Sequence, residues 1–442
     1  MKTFEKCIRD TIFEICKSKI NINQHGFLPH KSCNTQMINY IDNVSLCFNN
    51  HSQCDVIYFD FAKAFDSVSH DLIIHKLKYQ FNIDGMLLKF ILNYLENRQQ
   101  RVVIDNEMSQ LTSVHSGVPQ GSILGPLLFV LFINDISEHV SPGTNILLYA
   151  DDTKIWREIK CANDHLILQH DIDSLYQWSQ VNKMNFHPDK CKVLRATLKH
   201  KPSLFDYALH DDVLEFCEFE KDLGVFITHK LNWTKNCQEL VSKANQRLGL
   251  LKRSCSFTKN TSKRRTLYLA MVRSIFEHCS PIWSPATAVS IDRIEAVQKR
   301  SIKWILKETY SKYSKIEYIQ KLIKLEILPL KDKMKVADIL MFYKIANNLS
   351  CVQLPEYLKR VDYNSLPNTR KHSKTIENKD SLTYMCTIRP VIDVFINSFF
   401  HRTYIQWNKL PFEIRKITKF EIFKTKLTDH VWQLIKQTEG IG

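Results

Sequence analysis

Three aspartates in two short phrases have the types and spacing to do chemistry. Tyr149-Ala150-Asp151-Asp152 follows an apolar, β-rich run, Ile146 to Tyr149. Adjacent carboxylates repel each other, but a divalent cation neutralises both, and hard Mg²⁺ prefers carboxylate oxygen. Taken alone, an Asp-Asp pair equally suits an ordinary acidic turn. A second phrase, Tyr58-Phe59-Asp60-Phe61-Ala62-Lys63-Ala64-Phe65-Asp66, puts Asp60 at the end of another apolar run, Val56 to Phe59. If the two runs are neighbouring strands, Asp60 and Asp151 meet at one sheet edge. Carboxylates so placed can bridge two cations about 3.5–4 Å apart, the arrangement that serves in-line phosphoryl transfer.

A third phrase is Ser116-Gly117-Val118-Pro119-Gln120-Gly121-Ser122-Ile123-Leu124-Gly125-Pro126. The chain has 10 glycines, and three of them fall between positions 117 and 125. Glycine allows positive φ and close backbone approach, so this clustering marks a tight site, or else a loop that only starts the next helix.

The elements that must position these phrases alternate in type. Apolar residues recur at helical spacing over 1–20 (Phe4, Ile8, Ile12, Ile15) and again at Met37, Ile38, Ile41, Val44 and Phe48, with a turn at Gln24 to Pro29 between them. Helical patterning also covers Leu72 to Leu95 and Leu127 to Ile133. Arg101 to Ile104 and Leu111 to His115 predict two short strands, and Thr153 to Trp156 the return strand after Asp152. Beyond residue 230 long helical patterns take over, as in Leu240 to Leu251, Thr266 to Phe276 and Ile291 to Leu306. Pro355 and Pro367 bracket a polar stretch that suits a linker or surface loop. Strands mixed with helices, then helices, predict an α+β core with a helical appendage.

Composition narrows the class. At 442 residues and 44% hydrophobic, the chain can fill a large core in several domains. The longest apolar run, Ile123 to Ile133, is too short to span a bilayer, and no secretory leader is evident, so a soluble protein without a membrane role is expected. Thirteen cysteines without a C-x-x-C pair read as reduced thiols of an intracellular protein. The formal charge of +15 is uneven: residues 1–250 carry about −3 and residues 251–442 about +18. A metal-collecting acidic part followed by a polycation suits a nucleic-acid enzyme, although a merely solvated basic surface would look the same. The cluster Lys263-Arg264-Arg265 is too short to specify nuclear targeting, and a phosphate contact would serve equally.

In order and spacing, the three phrases resemble motifs A, B and C of reverse transcriptases, closest to the non-long-terminal-repeat (LINE-type, jockey-like) retrotransposons. Gln24-His25-Gly26-Phe27 resembles that family's fingers motif, Leu175 to Lys192 (with Trp178, Asn182, Asn185 and Lys190) its motif D, and Asp222-Leu223-Gly224-Val225 its primer-grip motif E. Ile291 to Trp304 and Trp407-Asn408-Lys409-Leu410-Pro411 resemble the tail of the same branch.

The resemblance implies a right-hand polymerase: partial fingers over 1–53, a palm with a fingers insertion over 54–228, a helical thumb over 229–330 and a basic helical C-terminal region over 331–442. It implies RNA-templated DNA synthesis from a 3′-hydroxyl primer, with RNA template, DNA primer and deoxynucleoside triphosphates as partners and Mg²⁺ or Mn²⁺ as cofactor. Asp60, Asp151 and Asp152 would be catalytic, and with Phe61 they would make up the metal set. Phe65 would face the nucleotide sugar and exclude a 2′-hydroxyl, or else be a plain core aromatic. Gln120 and Gly121 would position template and nucleotide, with Lys31 on the triphosphate. Lys190 would meet the departing pyrophosphate or remain a solvated lysine. Leu223 and Gly224 would grip the primer. A ribonucleoprotein of cytoplasm and nucleus is the expected setting.

Met1 falls inside the first fingers motif, and no endonuclease domain or zinc knuckle is present, so an element truncated at its 5′ end is expected. The alternatives are a non-catalytic nucleic-acid-binding remnant and a group II intron-type reverse transcriptase; the Trp407-Asn408 phrase speaks against the latter.

Overall fold

The computed structural model describes residues 2–308, 313–361 and 381–441, which form two compact units. Residues 362–367 of the expected linker lie outside the described residues. The first unit comprises residues 1–36 and 51–220, the second residues 37–50 and 221–442.

The first unit is built on a five-stranded sheet. Its strands are β1 (Gln53–Phe59), β2 (Thr144–Tyr149), β3 (Asp152–Ile159), β4 (Lys192–Ala196) and β5 (Glu215–Phe216), in the order β5-β4-β1-β3-β2. All neighbours are antiparallel except β5 and β4. Because β1 is paired on both sides, six of its seven residues are buried. The expected return strand after Asp152 is β3, joined to β2 by a hairpin.

Helices α1 (Lys2–Cys16), α3 (His70–Tyr79), α4 (Gly85–Leu95), α5 (Gly125–Phe132) and α6 (Ala162–Val181) belong to this unit, and α2 (Cys33–Asn49) runs from it into the second. In α5, a run of Leu, Phe and Val behind Pro126, seven of eight residues are buried, and five of these (Leu127, Leu128, Phe129, Leu131 and Phe132) join one core with Ile57, Phe59, Ile73 and Trp178. Helix propensity is not needed to explain it: Pro suits the first turn, and burial on every side holds the rest.

Two sequence expectations change here. The helical patterning over Leu72 to Leu95 divides into two helices, because Asn82 (φ 56) and Gly85 (φ 57) reverse the backbone between them. The strands at Arg101–Ile104 and Leu111–His115 shrink to two-residue ladders, Gln99–Gln100 with Thr112–Ser113 and Val103–Ile104 with Glu107–Met108. All of these residues are exposed, so no buried face extends the pairing.

The second unit is mainly helical: α7 (Thr234–Ser254), α8 (Thr261–Tyr268), α9 (Ala288–Leu306), α10 (Leu330–Ala346), α11 (Phe399–Asn408) and α12 (Phe420–Glu439). The helix expected through Phe276 gives way after α8 to a π turn, Leu269–Arg273. The Trp407-Asn408 phrase is structural. Trp407 is 2% exposed, lies 5.4 Å from the Phe342 ring and donates its indole N–H to Leu382 O, while the Asn408 carboxamide pairs with the Tyr384 backbone in both directions. Residues 37–49 of α2 belong here: Tyr357 donates to the buried Asp42 carboxyl, and Val391 N–H donates to Asn49. Among the described residues no helix is long and apolar enough to cross a membrane.

Candidate active site

Strand register brings the aspartates to one edge. Phe59 pairs with Thr153, so Asp60, one residue further, is level with Asp152, and Asp151 is at the two-residue turn between β2 and β3. Ala150, the first turn residue, takes φ 58, which a non-glycine residue adopts only at a cost. Burial raises the pKa of the half-buried Asp151 carboxyl; a backbone N–H offsets part of this, and the charge of Asp60 adds to the rise. The Asp60 charge therefore lies close enough to oppose ionisation of Asp151. Asp152 is exposed.

A loop from the end of α6 runs beside Asp60. His187 N–H donates to Asp60 O, Ala62 N–H donates to Asn185 O, and Phe186 stacks on Phe61 at 4.4 Å. The Phe61 side chain is thus packed into the core at 5% exposure, so only its backbone carbonyl is suited to a metal. The same loop sets the Lys190 ammonium 3.3 Å from Asp60 Oδ2. Trp178, by contrast, serves structure: its indole N–H and the buried Lys76 both donate to Asp135.

The turn at Ala150 is clamped from the other side by Gln24-His25-Gly26. Leu148 exchanges backbone hydrogen bonds with Asn23 and His25, so this segment adds briefly to the free edge of β2. Gln24 Oε1 accepts from Gly26 N–H (2.7 Å) and Ala150 N–H (2.9 Å), and Gln24 Nε2 donates to Ala150 O (3.4 Å). Gly26 has to be glycine, because a Cβ there would stand 2.3 Å from Ala150 N. Burial, then the charges of Lys31 and Lys154, push His25 down to about 3; it is neutral and shares a hydrogen bond with Thr35. Lys31 donates to the Ile22 and Gln24 carbonyls at 2.6 and 2.7 Å, bracing the clamp.

The glycine-rich loop is anchored on the segment after Asp60. Gly117 (φ 92) lies so close to Asp66 that a Cβ would meet its Cα and carbonyl oxygen at 2.9 Å. Gly117 N–H donates to Val68 O, Val118 N–H to Phe65 O, and Ser116 Oγ to Asp66 O. Gln120 is exposed, and Asp66 holds its carboxamide at 3.0 Å. Gly121 (φ 78) has open space around it. Phe65 is half-buried, stacked on Phe129 at 4.4 Å and met edge-on by the exposed Phe27 at 6.0 Å.

The structure thus brings together Asp60, Asp151 and Lys190, and ties Gln120 and Phe65 to the same chain segment. Lys31 is engaged with backbone behind the clamp. Leu223 (φ 44) and Gly224 (φ 83) form a turn in the second unit, where His278 Nε2 lies 2.9 Å from Leu223 O. The sequence reading missed the roles of Gln24 and Asp66 as anchors; their placement inside quoted motifs was the available signal.

Among the described residues no three His, Cys, Asp or Glu side chains form a ready metal cage. The residues still fit a hard divalent cation. Two opposed carboxylates, one already met by an ammonium, form an oxygen donor set of the kind Mg²⁺ uses when substrate phosphates and water complete its shell.

Residues 1–207 match the family described as reverse transcriptase (RNA-dependent DNA polymerase). Over 318 residues the chain is 27% identical to a probable RNA-directed DNA polymerase from transposon BS of Drosophila melanogaster, covering 69% of this chain and 35% of that one. It is 23% identical over 314 residues to the corresponding protein of the transposon X-element (69% and 34%), and 28% identical over 190 residues to that of the mobile element jockey (40% and 20%), both of the same fly. The chain spans about a third of the length of the first two relatives. Among solved structures, apo telomerase from Candida tropicalis aligns over 76% of this chain and 55% of that one at 9% identity and a TM-score of 0.43.

Proposed function

We propose that this chain, whose residues 1–207 match the reverse transcriptase family, is a reverse transcriptase of the non-LTR retrotransposon type and copies RNA into DNA by extending a primer 3′-hydroxyl. The observation that carries the reading is the juxtaposition of Asp60 and Asp151 at one sheet edge, beside a glycine-rich loop anchored to the residues that follow Asp60. Asp60 and Asp151 would hold Mg²⁺, with the exposed Asp152 and the Phe61 carbonyl in support. A bound pair of such ions supplies activation of the 3′-hydroxyl and charge neutralisation on the leaving pyrophosphate.

The protein's own part is positioning. Gln24 and Gly26 fix the turn that carries Asp151. Asp66 orients the Gln120 carboxamide, and with Gly121 this side chain positions template and incoming nucleotide. Phe65, backed by Phe129, presents its ring to the sugar and leaves no room for a 2′-hydroxyl. Lys190, 3.3 Å from Asp60, is placed to meet a phosphate beside that carboxylate, and Lys31 would approach the triphosphate only by giving up its carbonyl contacts. Leu223 and Gly224 grip the primer. In this reading residues 1–53 are part of the fingers, 54–228 the palm, 229–330 the thumb and 331–442 a basic helical region of a right-hand polymerase.

The test is primer extension by the purified chain on an RNA template with Mg²⁺ and deoxynucleoside triphosphates. A DNA product absent in EDTA is expected. Strand binding without extension at any divalent ion would leave a nucleic-acid-binding protein.

A further inference from the structure

The corner between α7 and α8 in the second unit concentrates positive charge, with Arg265 alone of its cations ion-paired among the described residues, to Glu326 at 3.8 Å. Between Glu239 and Glu277 there is no acidic residue, while Lys252, Arg253, Lys259, Lys263, Arg264 and Arg265 fall within fourteen positions. Here Lys252 and Arg264, with Arg300, Lys303 and Lys307 from the end of α9, line a cavity of about 390 Å³. That size is within the roughly 300–1,000 Å³ of small-ligand clefts.

None of the five cations forms a carboxylate ion pair among the described residues. Arg264 is 5% exposed, yet its guanidinium is met by two neutral carbonyls, Thr258 O at 2.7 Å and Trp304 O at 2.6 Å. Arg300 is met by the Asn245 carboxamide at 2.9 Å. The single acid in the wall, Glu308, is engaged by Lys321 and Tyr313. Like charges held this close repel, and an anion entering the cavity would remove that cost.

The rim of the same corner carries Phe257, which is 79% exposed. Its loop is not loose: Thr258 N–H donates to Cys255 O, the Thr258 carbonyl is held by Arg264, and Asn260 caps α8 through Lys263 N–H. An exposed ring on a held loop, one residue from the Thr258 carbonyl that bonds the cavity's Arg264, suits the way proteins hold unpaired strands, phosphate in the groove and base on the ring.

We propose that this cavity seats a backbone phosphate of single-stranded nucleic acid and that Phe257 stacks on an adjacent base, giving the chain a strand-capture site of its own. The proposal rests on reading the chain as a nucleic-acid enzyme but not on its catalytic chemistry. The test uses the full chain and end-labelled single-stranded RNA and DNA twenty-mers, titrated by anisotropy at several salt concentrations.

For Lys252→Gln/Lys307→Gln, weaker binding is expected, with a log–log salt slope shallower by about 0.7, for the one phosphate contact that the cavity makes to a single strand. Phe257→Ala should weaken binding about fivefold or more at an unchanged slope. Asp60→Asn should bind like wild type while losing extension, so failure of catalysis and failure of capture are read separately. A wild-type slope for the double-lysine variant on both RNA and DNA would overturn the cavity, and wild-type affinity for Phe257→Ala would overturn the stacking contact.

Discussion

The carboxamide of Gln24 grips Ala150 on both backbone atoms, accepting from its N–H at 2.9 Å and donating to its carbonyl at 3.4 Å. Ala150 is held at φ 58 immediately before Asp151, so a side chain 126 residues away sets the geometry of the candidate catalytic turn.

Removing that grip should be costly. Gln24→Ala leaves two buried N–H groups, of Gly26 and Ala150, without their acceptor, each worth about 1–3 kcal/mol. Gly26→Ala should cost more, since the new Cβ would strike Ala150 N at 2.3 Å and the turn itself must move. Urea unfolding and primer extension should both fall for Gly26→Ala, with strand affinity retained. Wild-type extension by Gly26→Ala would contradict the clamp.

Two glycines of the 117–125 loop separate strain from crowding. Both Gly117 and Gly121 have positive φ, but only Gly117 faces backbone, at 2.9 Å from Asp66. Gly121→Ala should cost about 1–2 kcal/mol for the left-handed conformation alone. Gly117→Ala should cost clearly more and displace the loop. Equal unfolding midpoints for the two variants would show that the approach to Asp66 is not tight.

Much of the candidate site was legible because the chemistry sits at the ends of apolar strands. Val56 to Phe59 and Ile146 to Tyr149 announce themselves by composition, and each is followed within two residues by a candidate carboxylate, Asp60 or Asp151. Partners distant in sequence were not legible. Nothing in Lys192–Ala196, with two charges in five residues, marks it as the strand paired with β1. Periodicity identified α2 as a helix but could not show that Asp42 meets Tyr357, 315 residues on. For that reason a cut near residue 230 would separate residues 37–50 from the rest of the second unit.

Asp42 gives a pH signature. Fully buried, its carboxyl is pushed up to about 7 by desolvation, against the lowering effect of the Tyr357 hydrogen bond. Between about pH 4 and 7 the folded chain keeps a proton that the unfolded chain releases, so this group's contribution to stability falls as pH rises through that window and levels off above it. Asp42→Asn cannot ionise. Its urea midpoint relative to wild type should therefore be higher at pH 8 than at pH 5. The same difference at both pH values would mean that Asp42 is ionised throughout.

Phe65 should act on sugar choice. Its ring is fixed by Phe129 at 4.4 Å, so truncation opens space instead of inviting a rearrangement. Phe65→Ala is expected to raise ribonucleotide incorporation tenfold or more relative to deoxyribonucleotide, read from matched single-nucleotide extensions. Unchanged discrimination would show that the ring does not face the sugar.

The central claim is that Asp60 and Asp151 together make the metal-dependent centre of a polymerase. Asp60→Asn and Asp151→Asn keep side-chain size and remove one charged donor each, and the measurement is Mg²⁺-dependent primer extension on RNA, with strand affinity recorded in parallel. The expected result is a loss of extension by at least a hundredfold in both variants, with affinity within about twofold of wild type. Extension near the wild-type rate by either variant, at equal binding, would contradict the assignment.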